Sequence, residues 1–259
     1  MAYFQRHNII RYAVIPAAGI GSRMSTFELA KILPKCLFPI VDKPIIEGII
    51  ELLHRSGVDN IFIIVNYKQN VIKSYLKDGK RYGVKINYLV QKQLNGVAGA
   101  IFLARKYIKE PFFTVLADTF LIKDNLLDLK NIFLKNKAYA AEYVCRESSK
   151  IILSNTCSVK MKNNKIISLT EKPKSPTSKL RGAGIYVFDP IIFDYIKAAQ
   201  NSKSKVIEIT NVLDTIAKEG KCYGLVLKEE EVNVNRPEDL VRATQVYLKH
   251  LKGKHIVNK

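Results

Sequence analysis

Two glycines, several small residues and two cations stand close together near the N-terminus of this 259-residue chain. Residues 17–23 read AAGIGSR, and Lys35 follows twelve residues after Arg23. Glycine lacks a side chain and permits positive φ, so the backbone N–H groups of such a turn can approach a phosphate closely. The turn has neither the GK[ST] ending of a P-loop nor the third glycine of a dinucleotide-binding loop, and an ordinary tight turn is the alternative. The flanking Arg23 and Lys35 favour a site for a polyanion.

The pattern around this turn predicts an α/β fold with a mostly parallel sheet covered by helices on both faces. A buried strand at residues 12–16 leads directly into the turn. The other predicted strands lie at residues 61–65, 84–90, 112–116, 139–145, 157–161, 165–169, 182–188 and, as the last strand, 222–227. The predicted helices lie at residues 44–57, 69–77, 98–109, 126–135, 191–198, 208–218 and 237–251. Asn163-Asn164 predicts a hairpin turn, and residues 174–178 predict a polar loop that could serve as a lid.

Two further side chains suit ligand binding from their types and positions. Gln91 follows the strand at residues 84–90, and its amide can donate and accept at once, as the edge of a pyrimidine base requires. Asp118 ends an apolar strand, which puts its carboxylate at the carboxyl edge of the sheet, where ligands of open α/β folds bind. Asp118 is therefore a candidate Mg²⁺ ligand, although an aspartate at a strand end is otherwise often a turn former or helix cap.

AAGIGSRM followed by PK resembles the signature of the sugar-phosphate nucleotidyltransferases, also called nucleoside-diphosphate-sugar pyrophosphorylases. VIPAAG at residues 14–19 and PIVDKPII at residues 39–46 are most similar to UTP–glucose-1-phosphate uridylyltransferases. The resemblance implies a Rossmann-like three-layer sandwich with a mostly parallel mixed sheet. It also implies one domain over residues 1–259, with a nucleotide-binding half to about residue 121 and a sugar-binding half beyond it.

The implied activity is Mg²⁺-dependent nucleotidyl transfer from an NTP, with UTP or dTTP favoured, to a sugar 1-phosphate, with glucose 1-phosphate favoured. By resemblance, Arg23 holds the β- and γ-phosphates and Lys35 the α-phosphate. The remaining nucleotide-binding residues implied are Ala17, Ala18, Gly19, Gly21, Ser22, Gln91 and Gly96, the last two at the base.

The resemblance also assigns the sugar site and the metal site. Glu171 and Lys172 of TEKP would hold the sugar hydroxyls and the sugar phosphate, and Gly184 of GAGIYVF would let the sugar approach closely. The second metal ligand beside Asp118 is either Asn233 or Asn235, because some relatives have Asp at the first position and others a Val-Asn pair. Either amide oxygen can bind Mg²⁺, and the sequence leaves the choice open.

Composition narrows the class of protein. The net charge of +19 suits either nucleic acid or anionic substrates, but the lysines are spread through the chain without an aromatic-and-basic nucleic-acid signature, so no nucleic-acid partner is expected. Four scattered cysteines without a CxxC pair indicate reduced thiols and no zinc site. No apolar run has the length of a membrane helix or a signal peptide, so we expect a cytoplasmic protein. Because the chain ends soon after the helix at residues 237–251, we also expect no C-terminal β-helix acyltransferase domain, and the sequence leaves open whether the protein is a homo-oligomer.

Three other functions remain open at this point. Cytidylyl transfer to an alcohol phosphate such as phosphocholine would use the same glycine turn. A non-catalytic regulator that binds a nucleotide sugar would explain Ala117, at a position where relatives often have glycine, and the missing second aspartate. A nucleic-acid-binding protein is supported by net charge alone.

Overall fold

The computed structural model describes residues 9–200 and 205–257, and in them a nine-stranded mixed sheet lies between two helical layers. The apolar segments of the chain supply the strands, and most of their side chains are buried. The strands of the chain are β1 (Tyr12–Pro16), β2 (Pro39–Ile40), β3 (Lys43–Pro44), β4 (Asn60–Val65), β5 (Lys85–Val90), β6 (Phe112–Val115), β7 (Thr119–Leu121), β8 (Ala140–Arg146), β9 (Cys157–Lys162), β10 (Lys165–Glu171), β11 (Leu180–Phe188), β12 (Cys222–Val226) and β13 (Glu231–Asn233).

The helices cover both faces of the sheet. They are α1 (Glu28–Ile32), α2 (Ile45–Arg55), α3 (Gln69–Leu76), α4 (Gly96–Phe102), α5 (Leu127–Lys135), α6 (Lys150–Ser154), α7 (Ile192–Gln200), α8 (Ile209–Lys218) and α9 (Pro237–Val257). Short 3₁₀ turns occur at Ser22–Met24, Lys35–Leu37, Lys80–Tyr82 and Leu103–Lys106. Within the described residues, no helix combines the length and the apolar character needed to cross a membrane.

The strand order of the large sheet is β5-β4-β1-β6-β11-β8-β12-β10-β9. The first four strands are parallel, whereas β11 runs antiparallel to both β6 and β8. Strands β4 and β5 follow β1 in the chain and lie on one side of it, and β6 then lies on the other side of β1. The strand order therefore reverses between β1 and β6, and the carboxyl ends of these two strands flank the crevice where open α/β sheets bind ligands.

Two apolar clusters form the core, one on each face of the sheet. Alternate residues of one strand enter different clusters: Ile185 and Val187 of β11 pack on one face, and Tyr186 and Phe188 on the other. Helices α2 and α5 cover the first face, and α4, α7 and α8 cover the second. Burial on both faces explains why the strands read as continuous apolar runs and not as alternating ones.

The α/β class and the mixed sheet are confirmed. The parallel pairing predicted for most of the sheet holds from β5 to β6 and between β8 and β12, whereas β11, β10 and β9 pair antiparallel with their neighbours. The hairpin turn is confirmed as well, because Asn163 and Asn164 both have positive φ, at 51° and 61°, between the antiparallel strands β9 and β10. The prediction that residues 222–227 form the last strand is wrong. Strand β13 follows it and pairs antiparallel with β7, and a three-residue strand carries too short a pattern for recognition from sequence. The helix predicted at residues 98–109 is also shorter, since α4 passes into a 3₁₀ turn at Leu103.

Candidate active site

A cavity lined by the glycine turn, here called the main cavity, opens at the point where the strand order reverses. It has a volume of about 360 Å³, and the segments after β1 and β6 form two of its walls. The cavity lining includes eight of the residues predicted to bind the nucleotide or the metal: Ala17, Ala18, Gly19, Gly21, Lys35, Gln91, Gly96 and Asp118. Tertiary structure thus brings together residues that lie 101 positions apart, from Ala17 to Asp118.

The glycine turn has the open backbone that its sequence predicts. Gly21 adopts the left-handed conformation, with φ 69° and ψ 37°, and its carbonyl accepts the N–H of Met24 at 2.8 Å to begin the 3₁₀ turn. At Gly19 no atom lies within 4 Å of the place where a Cβ would stand, so that side of the backbone faces open space. Ser22 and Arg23 follow on the exposed surface of the turn. A phosphate could approach this backbone without displacing a side chain.

Lys35, Asp118 and Asn235 form a hydrogen-bonded cluster at the edge of the main cavity. The Lys35 ammonium donates to Asp118 Oδ2 at 2.6 Å and to Asn235 Oδ1 at 3.0 Å. Three separate elements supply the groups: a 3₁₀ turn after Pro34, the segment between β6 and β7, and the segment between β13 and α9. The pairing of β13 with β7, together with the Val234 N–H donating to the Asp118 carbonyl at 2.8 Å, holds the last two segments side by side.

Asn233 joins the same cluster. With its nitrogen facing Asp118, the Asn233 amide donates to both carboxylate oxygens at 3.2 Å, and Asn235 Nδ2 lies 2.9 Å from the Asn233 side chain. Both amides are therefore near Asp118, and the alternatives Asn233 and Asn235 are not exclusive. One carboxylate with the Asn235 amide oxygen, and with that of Asn233 once its amide turns, is a donor set that Mg²⁺ accepts when substrate phosphates supply further oxygens. No group of three or more His, Cys, Asp or Glu side chains suited to a metal occurs among the described residues.

Gln91 is buried, and the turn that follows it fixes its orientation. Its Nε2 donates to Asn95 Oδ1 at 2.9 Å and to the Gly96 carbonyl at 3.1 Å, which directs both contacts of the amide nitrogen back into the protein. Gly96 has φ 94°, and a Cβ at this position would lie 2.4 Å from the Ile207 carbonyl oxygen. Gly96 thus allows the close packing of residues 205–208 against the turn, a contact that sequence reasoning did not foresee.

The predicted sugar-binding residues lie beside the main cavity and not in its lining. Thr210 Oγ1 donates to Glu171 Oε2 at 2.7 Å, and the Lys172 ammonium lies 3.2 Å from Glu171 and 4.0 Å from Glu208. Gly184 has φ 72°, and a Cβ there would lie 2.9 Å from Leu116 Cδ1. The structure therefore gives Gly184 an internal packing role, and its role toward the sugar stays a prediction.

Glu208 is a functional candidate that the sequence analysis missed. It lines the main cavity and reaches toward Lys172, so it connects the cavity with Glu171 and Lys172. Burial raises the pKa of Glu208, and the nearby Glu171 carboxylate raises it further. Its only sequence signal was its place immediately before α8, a position that is ordinarily occupied by a helix cap.

Arg23 is not in the lining of the main cavity. It lines a second cavity of about 180 Å³, which also borders Asn233, Asn235 and three further arginines, Arg181, Arg236 and Arg242. The two cavities meet at the lysine–aspartate–asparagine cluster, because Lys35 and Asp118 line one and Asn235 lines the other. None of the three further arginines was singled out by a sequence motif.

Residues 12–250 match the sequence model of the family described as "Nucleotidyl transferase". The chain belongs to this family. It is 34% identical over 238 residues to the bifunctional protein GlmU of Methanocaldococcus jannaschii, covering 91% of this chain and 54% of that protein. It is 29% identical over 237 residues to the low-salt glycan biosynthesis nucleotidyltransferase Agl11 of Haloferax volcanii, covering 91% of this chain and 65% of that one.

Among solved structures, the fold is similar to UDP-glucose pyrophosphorylase complexed with UDP-glucose. The TM-score is 0.81 at 25% identity, and the match covers 93% of this chain and 100% of the other. The resemblance to sugar-phosphate nucleotidyltransferases and the nucleotide-diphospho-sugar transferase fold are thus confirmed. The chain spans a little over half the length of the GlmU proteins that it matches.

Proposed function

We propose that this protein transfers a nucleotidyl group from an NTP to a sugar 1-phosphate, giving an NDP-sugar and pyrophosphate. The observation that carries the proposal is the contact of Lys35 with Asp118 and Asn235 beside a cavity lined by the glycine turn and Gln91. This cavity edge combines a cation, a carboxylate and an open glycine backbone. Such groups can hold and neutralise two anions that must react with each other, here the triphosphate and the sugar phosphate.

The sugar-phosphate oxygen is already ionised, so the reaction needs positioning and charge neutralisation more than a strong base. The backbone at Gly19 and Gly21 would contact the triphosphate, and the Lys35 ammonium would neutralise charge at the α-phosphate as the nucleophile attacks. Glu171 would accept hydrogen bonds from sugar hydroxyls, with Lys172 near the sugar phosphate. Thr210 supports this assignment because its hydroxyl orients the Glu171 carboxylate.

Asp118, with Asn233 or Asn235, would hold Mg²⁺. When bound, the ion would supply charge neutralisation between the nucleotide and the sugar phosphate. Because Lys35 donates to the Asp118 carboxylate, the ammonium would turn from Asp118 toward the phosphates as the substrates enter. The short distance between the lysine and the candidate metal ligands supports their action on one phosphate group.

We propose UTP or dTTP and glucose 1-phosphate as the preferred substrates. The fixed Gln91 amide supports a pyrimidine, since its nitrogen is committed to Asn95 and Gly96 and its oxygen is left to accept the N3–H of uracil or thymine. The likeness to UDP-glucose pyrophosphorylase supports uridine and glucose together.

A grid of five nucleotides against a panel of sugar 1-phosphates and phosphocholine, scored by pyrophosphate release with Mg²⁺, tests the proposal. We expect UTP or dTTP with glucose 1-phosphate to give the highest kcat/KM. A purine nucleotide in first place, or phosphocholine ahead of every sugar, would refute the substrate assignment. Binding of a nucleotide sugar without pyrophosphate release from any pair would instead identify a regulator and refute the enzymatic function.

A further inference from the structure

The second cavity, here called the arginine cavity, is lined by Arg23, Arg181, Arg236 and Arg242. It has one acidic side chain in its lining, Asp239, and both contacts of Asp239 Oδ2 are made with the backbone N–H groups of Asn235 and Arg236 at 2.8 Å. Four guanidinium groups therefore line a space with one carboxylate. Carboxylates outside the lining pair with two of them, Glu231 and Glu147 with Arg181 and Glu230 with Arg242. Arg23 and Arg236 form no salt bridge among the described residues, and their positive charge favours a bound anion.

Arg181 shows that this cavity is built into the fold. Its side chain is 5% exposed, its Nη2 donates to Glu231 Oε2 at 2.6 Å, and its Nη1 donates to the Gly182 carbonyl at 3.3 Å. Its Nε has no hydrogen-bond partner among the described residues, since Glu147 Oε2 lies 3.7 Å away. A buried N–H donor without a partner costs free energy, and an anion in the cavity is a partner that could satisfy it.

Two other arginines are only weakly neutralised. Arg242 lies 3.4 Å from Glu230, and both side chains of this pair are 43% exposed, so solvent screens their attraction. Arg236 forms no salt bridge in residues 9–200 and 205–257. A guanidinium presents several donors in one plane, and this arrangement matches the oxygens of a phosphate group.

The position of the cavity indicates which anion it takes. Gly21 lines the main cavity and Arg23, two residues later, lines the arginine cavity, so one turn of backbone borders both. Asn235 lines the arginine cavity, and its Oδ1 is 3.0 Å from the Lys35 ammonium. A triphosphate whose α-phosphate lies at Lys35 would direct its far end toward the arginines.

We infer that the arginine cavity binds the pyrophosphate that leaves in nucleotidyl transfer, with Arg181, Arg236 and Arg242 as anion-binding residues in addition to Arg23. This inference rests on the proposed function. In that reaction the sugar-phosphate oxygen forms a bond to the α-phosphorus, and the bond from this phosphorus to the α,β-bridging oxygen breaks. The electron pair stays on the bridging oxygen and leaves with pyrophosphate, whose added negative charge the arginines neutralise.

Titration calorimetry of the full chain with pyrophosphate tests this directly, without turnover. Arg236→Gln and Arg242→Gln are expected to weaken pyrophosphate binding by about 5- to 10-fold each, because each removes a charge-assisted hydrogen bond. Arg105→Gln, in a 3₁₀ turn that does not line the cavity, is the matched control and should change binding less than about twofold. Sulfate and orthophosphate, tested separately, should bind far more weakly than pyrophosphate.

Arg181 needs a paired substitution, because removing it alone leaves Glu231 as a buried, unpaired carboxylate. The double variant Arg181→Gln/Glu231→Gln removes both charges, and thermal unfolding checks that it folds. We expect the double variant to bind pyrophosphate more weakly, to a similar extent. In a turnover assay of the reverse reaction, its KM for pyrophosphate should rise while its KM for the NDP-sugar stays within about twofold of the parent value.

The outcomes separate the two proposals. One outcome is that the protein turns over substrate while the parent, Arg236→Gln and Arg242→Gln all bind pyrophosphate equally well. That result would overturn the inference and leave the enzymatic function intact. Equal binding of sulfate, orthophosphate and pyrophosphate would also overturn it, by showing a general anion site. Arginine-dependent pyrophosphate binding without turnover on any substrate pair would support the cavity as a pyrophosphate site and refute the enzymatic function.

Discussion

The Lys35 ammonium donates to Asp118 Oδ2 at 2.6 Å, although the two residues are 83 positions apart in the chain. Both side chains are only about one fifth exposed, so water screens this pair less than it screens the surface ion pairs. In the proposed function, the Lys35 ammonium and the Asp118 carboxylate would have to separate before one binds phosphate and the other binds Mg²⁺. We therefore expect the binding of substrate and the binding of Mg²⁺ to depend on each other.

Lys35→Ala is expected to reduce kcat by about 10²- to 10³-fold while the protein stays folded, because one contact to developing charge at the α-phosphate is lost. Steady-state pyrophosphate release measures the effect. Lys31→Ala is the matched control, since Lys31 is an exposed lysine paired with Glu28 on α1, and it should leave kcat unchanged. A Lys35→Ala rate within threefold of the parent would exclude the lysine from the reaction.

Metal removal should abolish turnover, and added Mg²⁺ should restore it, because Asp118 and the two amides offer oxygen ligands at the cavity edge. Excess EDTA followed by Mg²⁺ titration tests this. Asn233→Ala and Asn235→Ala should raise the Mg²⁺ concentration needed for half-maximal activity, with the larger increase identifying the direct ligand. Full activity in EDTA, or unchanged Mg²⁺ dependence in both variants, would contradict the proposed site.

The stability of the protein should decrease as the pH rises from about 5 to 8, in part because of Glu142. This β8 side chain is 1% exposed, and its Oε1 has no hydrogen-bond partner among the described residues. Burial raises the pKa of Glu142 from 4.5 to about 8. The folded state then binds a proton that the unfolded state releases above its own pKa, so the free energy of unfolding falls with pH until the folded carboxyl also ionises.

Glu142→Gln is expected to remove that part of the pH dependence and to be more stable than the parent at pH 8, by an amount on the order of a few kcal/mol. Urea unfolding at pH 5.5 and pH 8, with the slope of each transition compared, measures it. An equal difference between parent and variant at both pH values would show that ionisation of Glu142 does not contribute to stability.

Gly96→Ala is expected to destabilise the protein by at least about 1–3 kcal/mol, because φ is 94° and the new Cβ would contact the Ile207 carbonyl. The same substitution at Gly48, in the middle of α2, meets no atom within 4 Å and should stabilise the helix by about 0.5–1 kcal/mol. Thermal unfolding of both variants separates these effects. Equal stability of the two would remove the packing argument for Gly96.

Much of this molecule was determined by local sequence. The run at residues 12–16 is apolar, so it forms β1 with the same bounds, and Gly21 then takes the left-handed backbone that the turn predicted. Apolar periodicity likewise gave α2 and α8 to within a residue or two of their ends. These features depend on neighbours in the chain, and local sterics and burial are sufficient to specify them.

Tertiary structure alone decided how the site is assembled. Sequence spacing could not show that Lys35 contacts Asp118 and Asn235, because this requires β6 beside β1 and β13 paired with β7. The same long-range pairing brings Asn233 and Asn235 to one carboxylate, and Arg23 and Arg181, 158 positions apart, line one cavity. Such contacts depend on the order of strands in the sheet, and a strand's own residues specify its burial and its faces but not which strand lies next to it.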